Sequence, residues 1–228
     1  MKDSSTQQPE ITIDVDATSG AAVYNKSLLM IYDFFVLGLS NTFFWKCPTQ
    51  LILNFYNQHV SAKHLDVGVG SGYFLDKCQF PNPNPIITLV DLNPNALEYT
   101  AHRIHRYKPT TLLANIFQPL PSALTFDSIG LNYLLHCLPG HSILSKAVVF
   151  RNLKTSLNDG GIIFGTTILG KGVSHNLFAQ QLMRTYNAKG IFGNKNDTCE
   201  DLETILKENF RTYDIRIVGC VAFFVGWK

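Results

Sequence analysis

One run of glycines and a few carboxylate and amide side chains carry the first chemistry in this sequence. His64-Leu65-Asp66-Val67-Gly68-Val69-Gly70-Ser71-Gly72 is a short apolar run that ends in three glycines at alternate positions. Glycines at such a turn let a ligand lie against bare backbone. The spacing is G-x-G-x-G, not the G-x-G-x-x-G of dinucleotide sites. Asp66 stands just before the glycines. A carboxylate there would repel a pyrophosphate and suit a ligand with an ammonium end, such as a methionine moiety. Asp91, followed by Leu92, lies nineteen residues beyond Gly72, close to the spacing of a carboxylate that binds ribose hydroxyls. Asn115 and Ile116 follow another apolar segment, where an adenine amino group would find a carbonyl and its ring an apolar partner. Asn132 follows a further one. Each has a bland reading: the glycines as a plain turn, Asp91 as a cap ahead of Asn93 and Pro94. Those readings would have to coincide in the correct order on the correct strands.

The elements that must position these groups are legible as alternating strands and helices. Strands are expected at Lys63–Val67, Ile86–Val90, Thr111–Ala114, Phe126–Leu131 and Ile162–Ile168. Helices are expected at Phe74–Gln79, Pro94–Tyr107, Ser142–Leu157, Ser174–Tyr186 and Cys199–Asn209, the third stopped by Asn158-Asp159-Gly160-Gly161. Such alternation implies a parallel sheet with right-handed crossovers. Tyr213–Val218 and Cys220–Gly226 are joined by Gly219 alone and must pair antiparallel. The expected fold is α/β: a Rossmann-like three-layer sandwich whose mostly parallel seven-stranded sheet ends in an antiparallel hairpin. Upstream, residues 1–22 read as a flexible arm and 23–60 as N-terminal lid helices, one over Lys26–Leu39 and one from Pro48 to Gln58. The ligand-binding domain then spans 61–228.

With these motifs in this order, the chain resembles the class I S-adenosylmethionine-dependent methyltransferases from about Pro48 to the C-terminus. The resemblance implies that Asp66, Gly68, Gly70 and Gly72 border the amino-acid end of S-adenosyl-L-methionine. It implies that Asp91 and Leu92 hold the ribose, that Asn115 and Ile116 meet the adenine, and that Asn132 completes the cofactor site. Many members carry Asp at the position of Asn115; Asn still offers a carbonyl. The segments Lys46-Cys47-Pro48-Thr49, Asn132-Tyr133-Leu134-Leu135-His136-Cys137-Leu138-Pro139-Gly140 and Tyr186-Asn187-Ala188-Lys189-Gly190-Ile191-Phe192 resemble one small subfamily. It holds bacterial proteins of unknown role and fungal polyketide O-methyltransferases of the viridicatumtoxin type.

Methyl transfer from a sulfonium is an in-line displacement, so alignment of nucleophile, carbon and sulfur matters most. An oxygen acceptor must also lose a proton, and histidine is the usual base. His136 and His175 fall after the fourth and fifth strands, at the edge where such sheets bind ligands, and are the catalytic candidates. Each has a structural alternative: a ring buried under the cofactor for His136, a solvated helix start for His175. Tyr24, Tyr32, Phe178 and Tyr186 are candidates for an aromatic-lined acceptor pocket.

Composition narrows the alternatives. Net charge is +2 with no basic stripe, which speaks against nucleic acid. The five cysteines show no C-x-x-C spacing and no zinc-like cluster, so no metal is expected and a cytoplasmic setting fits. Leu28 to Trp45 is apolar enough to consider a membrane, but Asp33 mid-span makes stable insertion costly. A nicotinamide oxidoreductase would show the dinucleotide spacing. A non-catalytic binder would show an eroded glycine motif. A cyclase on the same fold, or N- or C-methylation, stays open, as does the oligomeric state.

Overall fold

The computed structural model describes residues 41–228. The expected helix over Lys26–Leu39 and the pocket candidates Tyr24 and Tyr32 lie outside the described residues. Helix α1 (Thr49–His59) leads into β1 (Lys63–Val67), α2 (Tyr73–Lys77), β2 (Ile86–Asp91), α3 (Pro94–Arg103), β3 (Thr110–Leu113) and β4 (Phe126–Asn132). Then come α4 (Ala147–Thr155), β5 (Leu157–Ile168), α5 (Leu177–Ala188), α6 (Cys199–Asn209), β6 (Thr212–Val218) and β7 (Val221–Trp227).

The seven strands form one sheet in the order β3-β2-β1-β4-β5-β7-β6. The first five run parallel, and β7 pairs antiparallel with both β5 and β6. The order reverses between β1 and β4, so the carboxyl ends of β1, β2 and β4 open onto one crevice. Both sheet faces are covered, which explains the unbroken apolar runs in the strands. Phe164 and Phe223 pack on one face with α1, α3 and α5; their neighbours Ile163 and Phe224 pack on the other with α4 and α6. The hairpin turns at Gly219, with φ of +59°. A Cβ there would run into the backbone oxygens of Trp45 and Lys46. Trp45 in turn accepts a 2.8 Å bond from Cys220 N–H, tying the start of the described chain to the end of the sheet.

Several boundaries differ from the sequence reading. The helix expected over Pro94–Tyr107 ends at Arg103, and His105–Tyr107 forms a 3-10 turn ahead of Pro109, which cannot continue a helix. Likewise Ser142–Leu157 divides into a 3-10 turn, Ile143–Lys146, and α4. Asn176 caps α5 by accepting from Ala179 N–H at 2.8 Å, so that helix starts at Leu177 and not at Ser174. Asn158-Asp159-Gly160-Gly161 marks a bulge and not a stop. Phe126 pairs with Leu157 and Ser128 with Ile162, so β5 begins at Leu157 and loops out in between, with Gly160 at φ +76°. Among the described residues, no helix is long and apolar enough to cross a membrane.

Candidate active site

The turn after β1 builds the site. Gly68, Gly70 and Gly72 all take positive φ, at +70°, +52° and +70°. Gly68 N–H bonds Val90 O at 2.8 Å, which fastens the turn to the end of β2. A side chain on Gly72 would strike Thr100 of α3, whereas a Cβ on Gly70 would meet nothing within 4 Å and would project into open space. That space is a cavity lined by every cofactor candidate: Asp66, Gly68, Gly70, Gly72, Asp91, Leu92, Asn115, Ile116 and Asn132. Tyr133, Leu134, Leu138 and Pro139 add an apolar wall.

Three polar groups in the cavity can meet a ligand, and one of them, Asn132, has a buried donor without a partner. Burial raises the Asp91 pKa to about 6, although backbone N–H groups of Asn93, Gly70, Val69 and Leu92 pull it back down. Hydroxyl donors would stabilise its ionised form further. Asn132 receives the Thr166 hydroxyl on its carbonyl at 3.2 Å, but its buried Nδ2 donor has no partner. Asn115 turns its side-chain carbonyl to Phe117 N–H at 3.0 Å, which fixes its direction; the second lone pair can serve a ligand. Asp66, two residues before Gly68, also lines the cavity. A ligand that offers hydroxyls and an ammonium group fits these two carboxylates.

Similarity to known proteins decides the family. Residues 65–163 match the methyltransferase domain family. Demethylluteothin O-methyltransferase of Streptomyces thioluteus is 38% identical over 228 residues, covering 100% of this chain and 99% of that one. The chain belongs to the class I S-adenosylmethionine-dependent methyltransferases. The physcion biosynthesis cluster O-methyltransferase of Aspergillus chevalieri is 37% identical, with 92% of this chain and 95% of that one covered. N-methyltransferase vrtF of Penicillium aethiopicum is 38% identical, over 79% and 76%. The crystal structure of N-methyltransferase NodS from Bradyrhizobium japonicum WM9, in complex with S-adenosyl-L-homocysteine, shares the fold at a TM-score of 0.54 and 17% identity. It covers 78% of this chain and 83% of that one. The methyltransferase is an enzyme, and S-adenosyl-L-methionine is its cofactor.

The acceptor-side candidates are not brought together as the cofactor set is. His136 of this methyltransferase is buried behind the cavity wall, edge-on to Tyr133 and Phe192 with ring centroids 5.6 and 4.7 Å away. Its Nδ1 accepts from Ile168 N–H at 3.4 Å, and burial together with the Lys146 cation lowers its pKa to about 3. The ring is therefore held neutral. His175 places Nε2 2.9 Å from Leu169 O. It lines a second cleft of about 440 Å³ with Gln180, Met183, Arg184, Asn187 and Lys195. Phe178 is exposed and stacks on Phe44 at 6.0 Å, and Tyr186 meets Phe192 edge-on at 5.0 Å.

Sequence reasoning passed over two clusters. Lys146 and Asp197, both fully buried, pair at 2.7 Å, and Lys146 also donates to Gly193 O at 2.9 Å. Burial pulls the lysine down and pushes the aspartate up, and their attraction offsets part of each shift. With Gly193 N–H on His136 O and Asn194 Nδ2 on Ile168 O, each at 2.9 Å, the pair clamps the segment after α5 onto the ends of β4 and β5. The other cluster lies beneath Asp66 and joins Tyr56, His64 and Ser128. Neither has a spacing that could reveal it, because its members come from separate elements. Tyr133 had a usable signal: it follows Asn132 at a strand end and takes φ +52°, a strained conformation for an aromatic residue.

Proposed function

We propose that this methyltransferase moves the methyl group to a hydroxyl or carboxyl oxygen of a small, polyketide-like molecule. The observation that carries this is the end-to-end similarity to demethylluteothin O-methyltransferase. The apolar cavity wall of Tyr133, Leu134, Leu138 and Pro139 suits a flat hydrophobic acceptor. Within the site, Asp66 takes the cofactor's ammonium group, Asp91 with Leu92 takes the ribose, and Asn115 with Ile116 takes the adenine. Gly68, Gly70 and Gly72 keep side chains out of the way, and the unpartnered Asn132 Nδ2 offers a hydrogen bond to the methionine end. The cofactor supplies an electrophilic methyl on a positive sulfur. The protein's part is to align the acceptor and exclude water, contributions that reach several orders of magnitude in rate. Cys137 also lines the cavity, but burial pushes its thiol to about 12, so it is no nucleophile at neutral pH. The candidate bases are His136 and His175, the latter from the second cleft; Tyr24, Tyr32, Phe178 and Tyr186 are the candidate pocket aromatics.

The cysteine pattern supports a cytoplasmic location. The second reading, N-methylation, is favoured by the likeness to vrtF. A screen with labelled S-adenosylmethionine against polyphenols, polyketide acids and matched amines tests both. Label in an ether or ester is expected. Label only in amines would replace the oxygen reading, and no transfer to any of them would remove the proposed substrate class.

A further inference from the structure

Asp66 is held from below by a chain of side chains that reaches across three elements. Tyr56, fully buried on α1, places its hydroxyl 2.7 Å from Asp66 Oδ2 and 2.8 Å from His64 Nε2. A phenol has one hydrogen, and the carboxylate can only accept, so that hydrogen goes to Asp66. His64 Nε2 must then carry a proton and donate it to the phenol oxygen. Its other nitrogen, Nδ1, meets Ser128 Oγ at 2.8 Å. Ser128 Oγ is itself fixed by Ser61 N–H at 2.9 Å and by Ser61 Oγ at 2.7 Å. His64 is thus held at both ring nitrogens, and its contact with Tyr56 orients the phenol that donates to Asp66. The crowding is made possible by Gly130 on β4, where a Cβ would sit 3.2 Å from both Asp66 Oδ2 and His64 Cε1. His64 and Ser128 have no exposure to solvent, so no water competes for these bonds.

We infer that Tyr56 is a positioning residue for the cofactor. Through its hydroxyl, oriented by His64 and Ser128, it sets the rotation of the Asp66 carboxylate so that the plane presented to the cavity meets an ammonium group. The inference rests on the reading of Asp66 as the ammonium partner. It assigns a role in cofactor selection to α1, an element upstream of the matched domain, because Tyr56 precedes residue 65. A free hydroxyl donor would merely stabilise the carboxylate; one locked by two further residues also fixes its direction.

Two ligands separate this role from a structural one. S-adenosylhomocysteine carries the ammonium group; 5′-methylthioadenosine keeps the adenine, ribose and thioether but lacks it. Calorimetry on Tyr56→Phe should show S-adenosylhomocysteine weakened about five- to tenfold, the size of one hydrogen bond, with methylthioadenosine within about twofold of the parent. In an Asp66→Asn background, Tyr56→Phe should have no further effect on either ligand. Equal weakening of both ligands by Tyr56→Phe would reduce the chain to a packing role and overturn the inference. So would unchanged S-adenosylhomocysteine binding in Tyr56→Phe while Asp66→Asn weakens it, an outcome that leaves the Asp66 reading standing. Unchanged binding in Asp66→Asn itself would remove that reading and the inference together.

Discussion

The two halves of the sheet's carboxyl edge use polar groups in opposite ways. At the ends of β1, β2 and β3, the carboxylates and amides of Asp66, Asp91 and Asn115 border a cavity, and glycine backbone forms its floor. At the ends of β4 and β5, Lys146 pairs with Asp197, and Asn194 and His136 bond the backbone of Ile168, so these groups turn toward the protein. Chemistry in the first half is presented to a ligand. In the second half it fastens a loop, and what faces the cavity is mostly shape. A cofactor shared by many enzymes needs fixed polar contacts, whereas an acceptor pocket can be set by apolar contour.

The largest effect should come from breaking the fastening. Asp197→Ala leaves the fully buried Lys146 cation without its carboxylate, a loss of about 3–5 kcal/mol in stability. Urea unfolding should show the lower midpoint with the slope unchanged. If the variant were as stable as the parent, the acceptor half would not be held by this pair, and the contrast would fail.

Next in size is the counterpart change on the cofactor side. If Asp91 holds the ribose as proposed, Asp91→Ala removes two charge-assisted bonds to it, each worth roughly 1.5–3 kcal/mol, so S-adenosylhomocysteine binding should weaken at least about 100-fold. The N–H groups of Asn93, Gly70, Val69 and Leu92 also lose their acceptor, so the ligand-free protein should lose about 1–3 kcal/mol of stability. A fall in stability with binding unchanged would make Asp91 a structural cap alone.

These contrasts also explain what the sequence could disclose. The G-x-G-x-G turn was legible because the backbone takes positive φ at Gly68, Gly70 and Gly72, and the place of Asp91 on the cavity wall because it ends a strand at the edge where the cavity opens. The hairpin was legible because Gly219 alone separates two apolar runs. His136 was placed at the correct strand end, yet its neutrality comes from burial and then from Lys146, whose own partner Asp197 lies 51 residues further on. No local pattern encodes that pairing, nor the one between Tyr56 and Asp66. The turn residues Asn158–Gly161 announced an irregularity but not that β5 continues through it. Propensity reports where a chain bends, while pairing with β4 decides whether the strand resumes.

A smaller effect, graded by pH, probes the same carboxylate without mutation. In the proposed site the ionised form of Asp91 accepts the ribose hydroxyls, and burial places its pKa at about 6, above the ordinary 3.8. Proton and cofactor therefore compete below about pH 6. S-adenosylhomocysteine affinity should be level above that value and fall by up to about tenfold per unit beneath it. For folding the same shift has the opposite sign. The folded chain holds this proton more tightly than the unfolded one, so the group favours the fold below its unfolded pKa. That contribution is lost as pH rises through about 6. Affinity level down to about pH 5 would mean that Asp91 does not titrate in this range or does not meet the ribose.

The smallest effect on the fold should come from Phe178, and it decides whether the acceptor half has any ligand-facing group on α5. The ring is 72% exposed and its described aromatic partner is Phe44, stacked at a centroid distance of 6.0 Å. An exposed stacked pair contributes no more than about 0.5 kcal/mol, so Phe178→Ala should move Tm by less than about 2 °C. If the ring forms part of the pocket for a flat apolar molecule, the acceptor KM should rise several-fold while the cofactor KM and the rate at saturation stay put, the signature of lost ground-state binding. An unchanged acceptor KM would leave Phe178 as surface and confine the acceptor's contacts to the wall formed by Tyr133, Leu134, Leu138 and Pro139. Either outcome bears on the contrast between the halves. A KM effect at an exposed aromatic ring, with no polar group involved, is what a pocket set by contour predicts.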